Sequence, residues 1–197
     1  MIEFSLRGKT KLAVDFTFFA ALALFFYFDE SGFGLMSISA CVIHEAGHLL
    51  ALFIMKKDFI SLTFYGGGIK IGYEKNVDVP AFLIVAGSFF NFVFFIAFYF
   101  IFALEFNFKT FAVINLIIGV FNLLPLRYFD GGNLLEKALI SAFTTDKALM
   151  ILRKTEKITL ILFTIFAVLI FCFFGINLSV LIVMIYVIVS DIIVKIE

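Results

Sequence analysis

Cys41-Val42-Ile43-His44-Glu45-Ala46-Gly47-His48-Leu49-Leu50-Ala51-Leu52 sets two histidines and a glutamate in the middle of an apolar run reaching from Leu35 to Met55. About 20 apolar residues are what a helix needs to cross some 30 Å of hydrocarbon. On a helix, His44 and His48 stand one turn apart on one face, so two imidazoles can converge on one Zn²⁺ at about 2.0–2.1 Å. Glu45 stands beside them, suited to take a proton from a water held there. An ionised carboxylate at mid-span costs roughly 2.5–3.5 kcal/mol on insertion scales, a cost seldom tolerated without a function. A structural histidine pair with a buried glutamate is the alternative reading.

The rest of the chain has the same apolar character. Of its 197 residues 63% are hydrophobic and only 15% charged, against roughly 25% charged in an ordinary soluble domain. The expected architecture is an all-α polytopic membrane protein of one domain, residues 1–197, with six spans: 12–28, 35–55, 80–104, 108–124, 158–174 and 176–194. With both termini in the cytoplasm, every Lys and Arg except Lys109 falls on the inner side, as the positive-inside rule requires. The basic start before Leu12 resembles a secretory signal, but Phe26-Tyr27-Phe28-Asp29-Glu30 lacks the small residues of a cleavage site, so a retained first span is expected. A formal net charge of zero and no basic stretch with interleaved aromatics give nucleic-acid binding no support. Cys41 and Cys172 lie in apolar runs, where a thiol behaves as a small hydrophobe, and they suggest no disulfide framework.

Two inner segments carry structure of their own. Phe59 to Tyr73 alternates and is rich in β-branched and aromatic residues around Gly66-Gly67-Gly68, which predicts a small membrane-associated β-hairpin. Asn133 to Phe143 spaces Leu134, Leu135, Ala138, Leu139, Ala142 and Phe143 as an amphipathic interfacial helix. Asp146 reads as the N-cap of a long helix entering the fifth span. Asp15 and Asp191 sit near span ends and read as interfacial.

A zinc hydrolase needs three protein ligands and one open position. The best third candidate is Asp130, in Asn122-Leu123-Leu124-Pro125-Leu126-Arg127-Tyr128-Phe129-Asp130-Gly131-Gly132. Pro125 disfavours helix at Leu124, so the fourth helix is expected to unwind there. Gly131 and Gly132 would then permit a sharp turn aiming Asp130 back into the bundle. An exposed loop aspartate before a helix start is the other reading. Gly87 and Asn91 lie one turn apart in the third span, and Asn115, Gly119 and Asn122 share a face of the fourth. Small residues let helices approach and amides bond across them; Asn91 or Asn122 could alternatively donate to a substrate carbonyl or developing oxyanion.

These elements, in this order, resemble the site-2 protease family of membrane-embedded zinc metallopeptidases: His44-Glu45-Ala46-Gly47-His48, the Gly87 to Asn91 patch, and Asn122-Leu123-Leu124-Pro125 leading to Asp130-Gly131-Gly132. Gly66, Gly67 and Gly68 look like the family's glycine-rich substrate-binding strand. The resemblance covers about residues 35–135, the family's three-span catalytic core, with 12–28, 158–174 and 176–194 as accessory spans. It implies one zinc per chain held by His44, His48 and Asp130, with Glu45 as general base. It also implies regulated cleavage of membrane-anchored proteins near the cytoplasmic leaflet of a bacterial inner membrane. The chain is most similar to the sporulation-type branch, whose substrates include pro-sigma factors; anti-sigma factors are the other expected class. Leu126, Arg127, Tyr128, Phe129, Asn133 and Ser88 depart from the family's frequent residues. A zinc transporter or sensor without hydrolysis is the competing class, although a transporter would spread ionisable groups over several spans.

Overall fold

The computed structural model describes residues 2–6, 10–28, 32–56, 61–65, 68–72, 79–101, 106–127 and 129–174. The chain forms two compact units, Met1–Asn122 and Leu123–Glu197.

In the first unit, β1 (Ile2–Leu6) and β2 (Thr10–Val14) form an antiparallel hairpin, followed by helices α1 (Phe16–Phe28) and α2 (Phe33–Ile54). Strands β3 (Ser61–Tyr65) and β4 (Gly68–Gly72) make the expected second hairpin. Strand β2 pairs with β3 in parallel, Leu12 opposite Leu62, which yields a four-stranded sheet ordered β1-β2-β3-β4. A Cβ on Gly72 would collide with Ser61 Oγ, so glycine fits the β3–β4 register there. Helix α3 (Ala81–Ile96) runs on through a π-helical turn, Ala97–Ile101, and α4 (Phe106–Asn122) completes the unit.

The first hairpin corrects the expectation of a span starting at Leu12. Residues 10–14 are strand, and the helix is only 13 residues long, about 20 Å at 1.5 Å per residue, short of a hydrocarbon core. Asp15 makes the break, because its carboxylate accepts from the Thr17 backbone N–H at 2.8 Å and hydroxyl at 2.7 Å, an N-cap at the head of α1. Those two bonds hold the Asp15 carboxyl below the usual carboxylate range.

Among the described residues two helices are long and apolar enough to cross a membrane, Phe33–Ile54 and Ala81–Ile101, and Asn107–Asn122 is a shorter apolar helix. Their outward faces carry large bare hydrophobics, among them Phe53, Phe82, Phe89, Ile96 and Phe100. Such faces suit lipid and would be an aggregation liability in water. Inward, small residues set the helix spacing. Gly47 on α2 lies so close to α3 that an added Cβ would stand 2.6 Å from the Ala86 carbonyl oxygen, and one on Gly119 of α4 would meet the Phe92 ring at 3.0 Å. Ala51, Leu52, Leu83 and Ala86 form the adjoining apolar core.

In the second unit, Leu123–Arg127 is non-helical as Pro125 demands, and helices α5 (Asp130–Ala142) and α6 (Thr145–Phe174) follow. Asp146 lies inside the first turn of α6 and so is not its cap; the Ala148 amide donates to the Thr144 carbonyl at 2.9 Å, placing the helix start earlier. The fifth expected span is the C-terminal part of α6. The sixth, with Asp191, lies outside the described residues, as do Gly66 and Gly67.

Candidate active site

His44 and His48 occur on the buried face of α2, at 5% and 8% exposure, with Nε2 atoms 3.2 Å apart and rings edge to face. Their other nitrogens decide what those Nε2 atoms are. His48 Nδ1 lies 2.8 Å from the Leu83 carbonyl oxygen of α3. A carbonyl only accepts, so Nδ1 carries the proton and Nε2 of the neutral ring carries a lone pair. His44 Nδ1 lies 2.7 Å from Asn91 Oδ1. The Asn91 amide nitrogen donates at 3.0 Å to both the Ala40 carbonyl and Asn115 Oδ1, so the Asn91 oxygen faces His44, which again carries its proton on Nδ1. Two lone pairs therefore point at a common spot, and neutral rings so protonated cannot hydrogen-bond to each other.

This arrangement fits a cation. Tetrahedral ligands at 2.0–2.1 Å from zinc stand about 3.3 Å apart, against the 3.2 Å between the two nitrogens. Metal-bound histidines characteristically donate their remaining N–H to a carbonyl or carboxylate, which fixes tautomer and ring plane. Gly87 of α3 closes over the pair: a Cβ there would strike His48 Nε2 and stand 2.6 Å from His44 Nε2. The absent side chain leaves room where the lone pairs meet.

Glu45, next in the chain, is half-buried on the same helix. Asn91 is fully buried, and both its amide hydrogens are committed to Ala40 and Asn115, leaving none for the oxyanion role considered from the sequence; it positions His44 instead. Asn122 is half-buried and donates to the Ile118 carbonyl of its own helix at 3.0 Å. Gly68 opens β4. Cys41, one turn before His44, is exposed and offers no atom to the group of candidate metal-binding residues.

Asp130 belongs to the second unit, where it is half-buried and begins α5 after an extended Phe129. Gly131 and Gly132 lie within that first helical turn, so they do not form the sharp turn expected of them. They permit close approach: a Cβ on Gly131 would collide with the Leu123 carbonyl oxygen, and one on Gly132 with that of Leu126. The segment before Asp130 is tied down by α6, with the Arg127 amide donating to Glu156 Oε1 at 3.0 Å and the guanidinium Nε 3.6 Å from Oε2.

Residues 103–170 match the model of peptidase family M50. The fold of the chain is similar to that of a site-2 protease from Methanocaldococcus jannaschii, at 19% identity and TM-score 0.67, over 94% of this chain and 91% of that one. The family match supports a metalloprotease, and the fold is of the site-2 protease type. No curated protein matches the chain at the sequence level. The family match takes in Asn115, Asn122 and Asp130 and stops short of the histidine pair, so the α2 site stands on its own geometry. Asn115 bonds across to α3, as amides on that face were expected to, but what it supports was missed from sequence, as was the role of Glu156. Both residue types are common on helix faces, and only the direction of their hydrogen bonds distinguishes them.

Proposed function

We propose that this chain is a zinc protease that cuts membrane-anchored proteins near the cytoplasmic leaflet, with His44, His48 and Asp130 as ligands and residues 1–197 acting as a single membrane domain. The observation that carries this reading is the pair of lone pairs converging at 3.2 Å. On this reading Asp130 would supply the third protein ligand, and a zinc hydrolase needs three with room left for water. A zinc ion held by these residues would supply a water of lowered pKa and an electrophile for the scissile carbonyl. Glu45 takes the proton from the attacking water and returns it to the nitrogen of the breaking peptide bond, so that a carboxylate and an amine leave. The apolar walls of α2 and α3 keep bulk water from the reacting groups.

A helical substrate hides its peptide groups in its own hydrogen bonds and has to unwind to be cut. Strand β4 ends the order of described strands and provides a row of backbone donors and acceptors on which an unwound segment adds as a further strand, with Gly68 at its start. The Lys and Arg distribution supports a cytoplasmic side for both termini and this sheet. A pro-sigma or anti-sigma factor with one span is a substrate of the right class. Co-expression with such substrates tests the reading: Glu45→Gln abolishes the cleaved product while zinc content stays at one per chain, and Asp130→Ala loses both. Cleavage by Glu45→Gln at the wild-type level refutes the base, and unchanged zinc in Asp130→Ala refutes the ligand.

A further inference from the structure

We infer that Asn115 on α4 is a positioning residue for His44, acting through the Asn91 amide to keep the proton on His44 Nδ1 and the Nε2 lone pair turned toward His48. Its significance for metal binding rests on the zinc reading above; the hydrogen-bond relay itself does not.

The relay has one allowed direction. Asn115 Nδ2 donates to the Phe111 carbonyl of its own helix at 2.9 Å; since a carbonyl only accepts, the amide cannot be turned round, and Oδ1 faces α3. There it accepts from Asn91 Nδ2, whose other hydrogen goes to the Ala40 carbonyl on α2. Turning Asn91 over would set its oxygen against two acceptors at 3.0 Å and its hydrogens against the protonated His44 nitrogen. Both asparagines are 0% exposed, so no solvent stands ready to replace a lost bond, and a buried group left unsatisfied carries its full desolvation cost. His48 needs no such help, because the backbone carbonyl of Leu83 fixes its tautomer outright. The two ligands are thus supported unequally, one by backbone and one by a side-chain relay spanning three helices. Asn115 is the remote end of the weaker support.

The chain contains only two histidines, so ¹⁵N-histidine labelling of the full-length, detergent-solubilised protein reports these two rings alone. In the metal-free wild type both rings are expected as the Nδ1–H tautomer, assigned with His48→Gln. In Asn115→Leu, His44 should show mixed tautomers while His48 keeps its wild-type shifts, and zinc binding should weaken about 10- to 100-fold, the usual consequence of losing a group behind a metal-ligating histidine. Asn115→Ser, a gentler truncation, serves if the leucine variant does not fold, with the same His44-selective change expected. An unaltered His44 tautomer overturns the inference. So does an equal change in both rings, which would mark Asn115 as a packing residue for the bundle. A wild-type protein that holds no zinc yet shows the selective His44 response supports the relay and removes the metal reading.

Discussion

Replacing Gly87 by alanine sets two known effects against each other. In an ordinary helix interior, Gly→Ala gains about 0.8–1.0 kcal/mol because alanine has less backbone freedom to lose. Here the new methyl would stand 2.6 Å from His44 Nε2 and closer still to His48 Nε2. To restore an ordinary 3.4 Å contact, His44 has to withdraw by about 0.8 Å, several times the ±0.2 Å tolerance of a metal–ligand distance. Overpacking of this kind costs about 1–3 kcal/mol. In the metal-free protein the two rings can swing aside, so much of the helix gain survives and stability changes little. In the zinc-bound protein they cannot, so the strain falls on binding, and 1–3 kcal/mol corresponds to about a 5- to 150-fold weaker Kd. Zinc competition titration against a chromophoric chelator measures this, with thermal unfolding of the metal-free protein alongside and Ser88→Ala, one residue away, as control. Wild-type zinc affinity in Gly87→Ala would refute the placement of the metal between the two Nε2 atoms.

Ser88 is 1% exposed, and its hydroxyl has no hydrogen-bond partner among the described residues; Ser88→Ala removes that penalty and is expected to stabilise the protein by about 1 kcal/mol, read as a higher unfolding midpoint with unchanged zinc content. Glu156→Ala releases the Arg127 amide and guanidinium from α6 and is expected to cost about 1.5–3 kcal/mol, the range for hydrogen bonds to a charged group, whereas a midpoint equal to wild type would show that the pair at 3.0 and 3.6 Å contributes nothing. Gly131→Ala drives a methyl into the Leu123 backbone carbonyl, which cannot rotate away as a side chain can; a loss of more than about 3 kcal/mol and rapid proteolysis around residues 123–130 are expected, and wild-type resistance would contradict the close approach.

The histidine pair and its helix were legible because periodicity and apolar length are local properties, and the hairpin at Ser61–Gly72 announced itself by alternation around a glycine cluster. The strand at Thr10–Val14 was not legible: Leu12, Ala13 and Val14 extend the apolar stretch of α1 without interruption, and what makes them strand is pairing with Leu62, Thr63 and Phe64, some fifty residues away. Gly131 and Gly132 were recognised as necessary for the wrong reason. Sequence alone cannot separate a glycine that supplies unusual backbone torsion from one that makes space for a neighbouring carbonyl. Likewise Asn91 could be placed on the inner face of α3, but whether its amide donates to a substrate or props up an imidazole depends on Ala40 and Asn115, which only the packed helices reveal.

The residues that pack the bundle and those that hold the chemistry are nearly the same. Without water, an imidazole or amide between helices must find its partners on neighbouring backbones, and it can reach them only if the helices lie close. Gly47 facing the Ala86 carbonyl and fully buried Ala40 and Ala112 supply that closeness. The carbonyls of Leu83 and Ala40, which would otherwise face their own helices alone, then act as acceptors for His48 and Asn91. A larger residue at Gly47 would separate α2 from α3 and lengthen both histidine supports together, whereas a change at Asn115 lengthens one. Substitutions at these two positions should therefore differ in kind: the first should weaken both ligands and the fold at once, and the second should single out His44.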